Sequence, residues 1–180
     1  MITLNRLDPT GADREAFVAF LSSNGFPFHV SAQLDRAEAE RRVDSGSWRD
    51  DENGSFWLEH NELGTVGVIR LEDLEDSTPM FDLRLAADFR GRGLGAEALR
   101  AATDHVFTHL EADRFEGCTR ADNIAMRRTF VACGWVKEAH FRRGWPVTGA
   151  EPADAVNYSI LRSDWSGGTT TPVPFDDLGY

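Results

Sequence analysis

Apolar and polar residues alternate with two different periods along this chain, and the changes of period divide it into elements. Phe81, Leu83 and Leu85 alternate with Asp82 and Arg84, the period of two expected of a strand with unlike faces. Beyond Gly95, over Glu97 to Leu110, the apolar positions Leu99, Ala102, Val106 and Leu110 recur every three or four residues, as on one face of a helix. The same reading along the rest of the chain predicts a first strand at Ile2 and Leu4 and a short amphipathic helix over Asp13 to Leu21. Asp35 followed by Glu38 opens a second helix through Val43 in the manner of a capping box. Phe56 to His60 and Gly64 to Leu71, rich in β-formers, read as a hairpin around Asn61-Glu62. Later come a strand at Phe115 to Thr119, a helix from Ile124 to Ala132 ended by Gly134, and a last antiparallel pair, Trp135 to Phe141 with Ala155 to Leu161. An irregular loop holding Trp145 and Pro146 is expected between these two. Hairpins early and late around one strand–helix–strand crossover predict an α+β, mixed-sheet architecture. The expected division is one domain over 1–165 and a flexible Gly/Thr/Pro-rich tail over 166–180.

The junction between the organising strand and its helix carries the candidate chemistry. Gly91, Gly93 and Gly95 leave almost no side chain between them, and a helix start exposes unpaired N–H groups at the positive end of its dipole. That combination is an anion cradle suited to a pyrophosphate. No Lys-Ser or Lys-Thr follows the glycines, which excludes a P-loop. Gly91 to Ala96 also spells G-x-G-x-x-A, but the next strand runs into Thr119-Arg120 where a dinucleotide site wants a ribose-binding acid.

Composition narrows the remaining classes. At 180 residues, 41% of them hydrophobic, the chain suits one globular domain with a substantial core. Its formal net charge of −11 disfavours a nucleic-acid partner and favours a cationic amine. Cys118 and Cys133 read as reduced thiols, and with the histidines scattered no metal site is expected. There is no apolar run of membrane-spanning length and no signal-peptide layout at Met1 to Asn5, so a cytoplasmic protein is expected.

Arg90-Gly91-Arg92-Gly93-Leu94-Gly95 also reads Arg-x-x-Gly-x-Gly, and here the chain resembles the GNAT superfamily of acetyl-CoA-dependent N-acetyltransferases. Asn123 to Phe130 followed by Cys133-Gly134-Trp135 is similar to that family's Asn-x-x-Ala/Ser…Gly-Phe block. Phe141 to Trp165 is similar to the branch that acetylates ribosomal-protein N-termini, the RimJ/RimL-like enzymes. The resemblance implies the GNAT acyl-CoA N-acyltransferase fold, a central, mixed, mostly antiparallel sheet flanked by helices. It implies acetyl-CoA as co-substrate, an amine acceptor and, from the branch, a homodimer.

Carried onto this sequence, the resemblance puts the coenzyme A pyrophosphate on Arg90, Gly91, Arg92, Gly93, Leu94, Gly95 and Ala96. The thioester lies beside Leu85, Ala86 and Ala87, where a free backbone N–H would hydrogen-bond the developing oxyanion. Asn123 matches a coenzyme-facing Asn and is equally suited to cap the following helix; Arg127 and Arg128 are candidate phosphate contacts. An amine of pKa about 10 must lose a proton before it attacks, and Asp82 or Glu72 would take it. Phe28, Trp48 and Trp145 are candidate acceptor contacts. Phe130 and Met126 stand where relatives carry Tyr and Ser, so neither can protonate a thiolate. An antibiotic- or toxin-modifying acetyltransferase and a non-catalytic acyl-CoA-binding sensor are the alternatives.

Overall fold

A computed structural model describes residues 1–174. Strand β1 (Ile2–Arg6) is followed by helices α1 (Arg14–Ser23) and α2 (Arg36–Asp44), then β2 (Gly54–His60), β3 (Gly64–Glu72) and β4 (Met80–Leu85). A 3₁₀ turn over Ala87–Phe89 leads to α3 (Leu94–His109), β5 (Arg114–Arg120), α4 (Ile124–Ala132), β6 (Val136–Trp145), β7 (Ala153–Leu161) and α5 (Arg162–Gly167). Among the described residues no helix is long and apolar enough to cross a membrane.

The strands form two antiparallel sheets, ordered β1-β2-β3-β4 and β5-β7-β6, rather than one continuous mixed sheet. The seam between them is parallel and short. Asp113 N–H donates to the Ser77 carbonyl and Glu116 N–H to that of Pro79, each at 3.0 Å, and beyond Glu116 no ladder joins β4 to β5. Aromatic rings hold the seam instead: Phe81 packs against Phe115, Phe130 and Trp135 with centroids 5.3–6.1 Å apart. Gly117 makes room for them, because a Cβ there would lie 2.6 Å from both the Phe81 and the Phe130 ring.

Both faces of the first sheet are covered. Ile69 and Leu71 of β3 join the core under α3 with Leu99, Val106 and Phe115, whereas Val68 joins the core under α1 and α2 with Phe17, Leu21 and Trp48. A strand buried on two sides reads as a run of apolar residues rather than an alternation, as Val66 to Leu71 does. Each such fully buried side chain contributes about 1.5–3 kcal/mol.

Three expectations need correcting. Helix α3 opens at Leu94 rather than Glu97, because Gly93, at φ 83°, is its N-cap and the turn winds straight into the helix. Strand β6 does not stop at Phe141; it passes through two register shifts and reaches Trp145, pairing that residue with Ala153. The stretch expected as a tail from Ser166 begins inside α5. There the buried Asp164 carboxylate accepts from Thr169 Oγ1 at 3.1 Å, Thr171 Oγ1 at 2.8 Å and Thr171 N–H at 3.0 Å. Residues 175–180 of that expected tail lie outside the described residues.

Candidate active site

The cradle forms at the start of α3. Gly91 and Gly93 hold φ of 73° and 83°, a left-handed conformation that L side chains resist, and nothing stands within 4 Å of where a Cβ would sit. Gly95 is different. It lies in the first helical turn, where a Cβ would meet Thr129 Oγ1 at an ordinary 3.5 Å. The fold therefore requires glycine at 91 and 93, while at 95 its smallness leaves space in the cavity. That cavity, about 460 Å³, is walled by Leu85, Gly91, Gly93, Gly95, Ala96 and Arg128, among others. The first amides of α3 have no intrahelical acceptor, so a narrow, side-chain-free helix start faces this space, as a bound pyrophosphate would require.

Several residues expected here have other partners, although Arg90 and Asn123 stay on the cavity wall. Arg90 turns inward, donating to the Leu85 carbonyl at 2.9–3.0 Å and to that of Gly25, and so ties the cradle to the loop after α1. Arg92 lies over the Phe89 ring outside the cavity wall, and Leu94 is buried in the core. Arg127 donates to the Ala121 carbonyl at 2.9 Å and leans toward Tyr158, leaving Arg128 as the helix α4 cation on the cavity. Asn123 caps α4 by accepting from Met126 N–H at 3.2 Å, and its amide donates to Thr119 Oγ1 at 3.0 Å.

Of the three backbone N–H groups offered for the oxyanion, two are occupied. Ala86 N–H donates to the Val66 carbonyl at 3.0 Å, and Ala87 N–H to Asn24 Oδ1 at 2.9 Å. Neither alanine lines the cavity. Successive residues of an antiparallel strand turn their N–H groups to opposite sides, so with Ala86 bonded to β3 the Leu85 N–H faces away from β3, toward the open side of the seam.

A second cavity of about 410 Å³ adjoins the first. The two share Phe28, His29, Leu83, Arg84, Asn123 and Met126 as common wall. Glu72, Asp82, Phe28 and Trp145 of the expected set line the second cavity; Trp48 does not. Trp48 is 4% exposed, packed edge-on against Phe17 at 4.7 Å, with the Arg70 and Arg84 guanidinium groups over its ring. It is a core residue rather than an acceptor contact. Phe130 is likewise buried, its ring stacked on Tyr158 at 4.7 Å.

Asp82 is not poised to take a proton. Burial alone would raise its pKa, but the Arg84 guanidinium at 2.7 Å and the His29 imidazole at 2.9 Å outweigh that and hold the carboxyl far below the usual carboxylate range. A carboxylate that ionises so readily is a weak base. Glu72 is ion-paired to Arg70. The group missed from the sequence is His29, on the wall that both cavities share, with Nε2 on Asp82 and, among the described residues, no hydrogen-bond partner at Nδ1. Its partner lies 53 residues away, so no local pattern marks it. Among the described residues no three His, Cys, Asp or Glu side chains gather as a metal-binding group.

A glycine turn at a helix start lies beside an outward-facing strand amide, and a second cavity adjoins the first. The chain belongs to the acetyltransferase (GNAT) domain family, whose sequence model matches residues 2–136, and it is an N-acetyltransferase of that family. A protein of Bacillus subtilis (strain 168) named Putative ribosomal N-acetyltransferase YdaF is 25% identical over 173 residues, 92% of this chain and 94% of its own. Among solved structures, spermidine N-acetyltransferase from Vibrio cholerae in complex with CoA and spermine aligns with a TM-score of 0.76 at 18% identity, over 92% of this chain and 98% of that one. A dodecameric structure of the Vibrio cholerae enzyme gives 0.71 at 18% identity, over 91% and 96%. At these identities the solved structures speak for the fold.

Proposed function

We propose that the chain moves an acetyl group from acetyl-CoA to a primary amine by direct attack, with both substrates bound at once. The observation that carries this is the wall shared by the two cavities: a coenzyme seated on the α3 cradle and an amine in the second cavity would meet beside His29. Bound acetyl-CoA supplies the acetyl thioester. The Gly91 to Ala96 turn and Arg128 hold its phosphates, and the Leu85 N–H donates to the thioester oxygen as negative charge grows there. Asp82 fixes the imidazole of His29 through Nε2, so that Nδ1 accepts the proton given up by the attacking nitrogen. The N–C bond forms as the C–S bond breaks, and coenzyme A leaves as a thiolate that solvent protonates, because Phe130 and Met126 offer no acid.

The reading is tested by following coenzyme A release against polyamines, aminoglycosides, amino acids and short peptides, alongside acetyl-CoA binding by thermal shift. Turnover with one class supports it and identifies the acceptor. Binding without turnover favours an acyl-CoA sensor, and no acetyl-CoA binding removes the reading.

A further inference from the structure

We infer that the acceptor is an α-amino acid with an apolar side chain, its carboxylate held beside the amine that reacts; this rests on reading the second cavity as the acceptor site. Three arginines line that cavity, Arg42, Arg70 and Arg84, against two carboxylates, Glu72 and Asp82. Both carboxylates are committed, Glu72 to Arg70 and Asp82 to Arg84 and His29. Arg42 is held by Glu38 at 2.8 Å and donates to Ser31. A polyamine brings only cations and donors, and both oxygens of Asp82 and one of Glu72 are already taken by His29, Arg84 and Arg70.

The unpaired groups point the other way. Arg84 Nη1 and Trp145 Nε1 are buried without a hydrogen-bond partner, and both are donors. The Arg84 side chain is 7% exposed. A buried donor left unpaired is costly, so a ligand bearing an anionic oxygen gains what a second amine would not. Asp82 also sets the spacing, since one of its oxygens meets His29 at 2.9 Å and the other meets Arg84 at 2.7 Å. Base and cation therefore stand one carboxylate apart, a span that suits an amine and an acid on the same carbon. Phe28, Met80, Phe81 and Met126 supply an apolar stretch of the same wall.

The chain's net charge of −11 does not overrule this. Exposed charges are screened beyond about 8–10 Å at physiological salt, whereas a desolvated guanidinium in contact is not.

The test compares kcat/KM for L-phenylalanine, L-phenylalaninamide, phenethylamine and spermidine, with leucine and methionine and their decarboxylated amines as a second series. Acetyl-CoA binding is measured separately by thermal shift. We expect each amino acid to exceed its decarboxylated amine by at least about tenfold, with spermidine lowest. Trp145→Phe should shrink that advantage severalfold, with the stabilisation by acetyl-CoA as in wild type. Equal rates for acid and amide, the result a peptide N-terminus would give, overturn the inference. So does spermidine as the best acceptor, or no amino-acid turnover in a protein that acetyl-CoA stabilises. If acetyl-CoA gives no stabilisation, the coenzyme reading itself fails and this one falls with it.

Discussion

His29 Nε2 lies 2.9 Å from Asp82 Oδ1, and the same carboxylate holds the Arg84 guanidinium through its other oxygen. One buried anion thus orients an imidazole and a guanidinium on the wall shared by two cavities. Replacing the base separates chemistry from binding. His29→Gln should lower kcat by about 10²–10⁴-fold while acetyl-CoA still raises the melting temperature as in wild type. An unchanged kcat would take the proton-accepting role away from His29.

Asp82 also makes stability depend on pH. Its carboxyl ionises far below the usual range in the folded chain and at about 3.9 in the unfolded one, so between those two values the folded state binds fewer protons at this site. Stability from this group is complete at neutral pH and drains away as pH falls below about 3.9. Urea unfolding of wild type and Asp82→Asn should therefore show its largest gap near neutral pH and a narrowing gap toward acid. A gap that widens toward acid would reverse the assignment.

Gly93 and Gly95, two residues apart, predict opposite outcomes for the same substitution. Gly93→Ala forces a methyl group onto a backbone at φ 83° and should cost about 1–2 kcal/mol of stability by chemical denaturation. Gly95→Ala, in ordinary contact with Thr129, should leave stability unchanged or slightly raised. Its methyl group would narrow the coenzyme cavity, so acetyl-CoA affinity should fall, a result that calorimetry reads directly.

Gly117→Ala probes the seam. Its Cβ would press on the Phe81 and Phe130 rings at 2.6 Å, and neither ring is a flexible chain end. A destabilisation of about 1–3 kcal/mol is expected, the usual cost of overpacking. If the midpoint of unfolding does not move, the aromatic wedge is looser than the contacts indicate.

What could be read from the sequence was local. The alternation in β4, the capping box before α2 and the glycine turn each lie within one window, and Asp35 does accept from Glu38 N–H at 2.8 Å. The cradle position followed from Gly91 and Gly93 alone. Roles decided by distant partners could not be read. The partners of Arg90, the Gly25 and Leu85 carbonyls, leave no mark in the sequence, although Arg90 does line the first cavity. Asp82 looked like a base because His29, 53 residues away, had no visible relation to it. Ala86 and Leu85 have equivalent backbone amides in sequence, and only strand register makes one bonded and the other outward. Trp48 could not be told from a surface aromatic, since its burial depends on α1 packing over β3.

The two-bond seam has a consequence for synthesis. Each strand of the first sheet pairs with the next in sequence, so its whole ladder is encoded before residue 86 leaves the ribosome. Strands β5 to β7 likewise close among themselves, from residues 114–161. The β2–β3 and β3–β4 ladders close over short connections, whereas β1–β2 and β5–β7 close over longer ones, Arg6 with Phe56 and Arg120 with Ala155. The second cavity draws its wall from both sheets, Leu83 and Arg84 from β4 and Cys118 and Thr119 from β5, so it is complete only where Phe81 docks over Gly117.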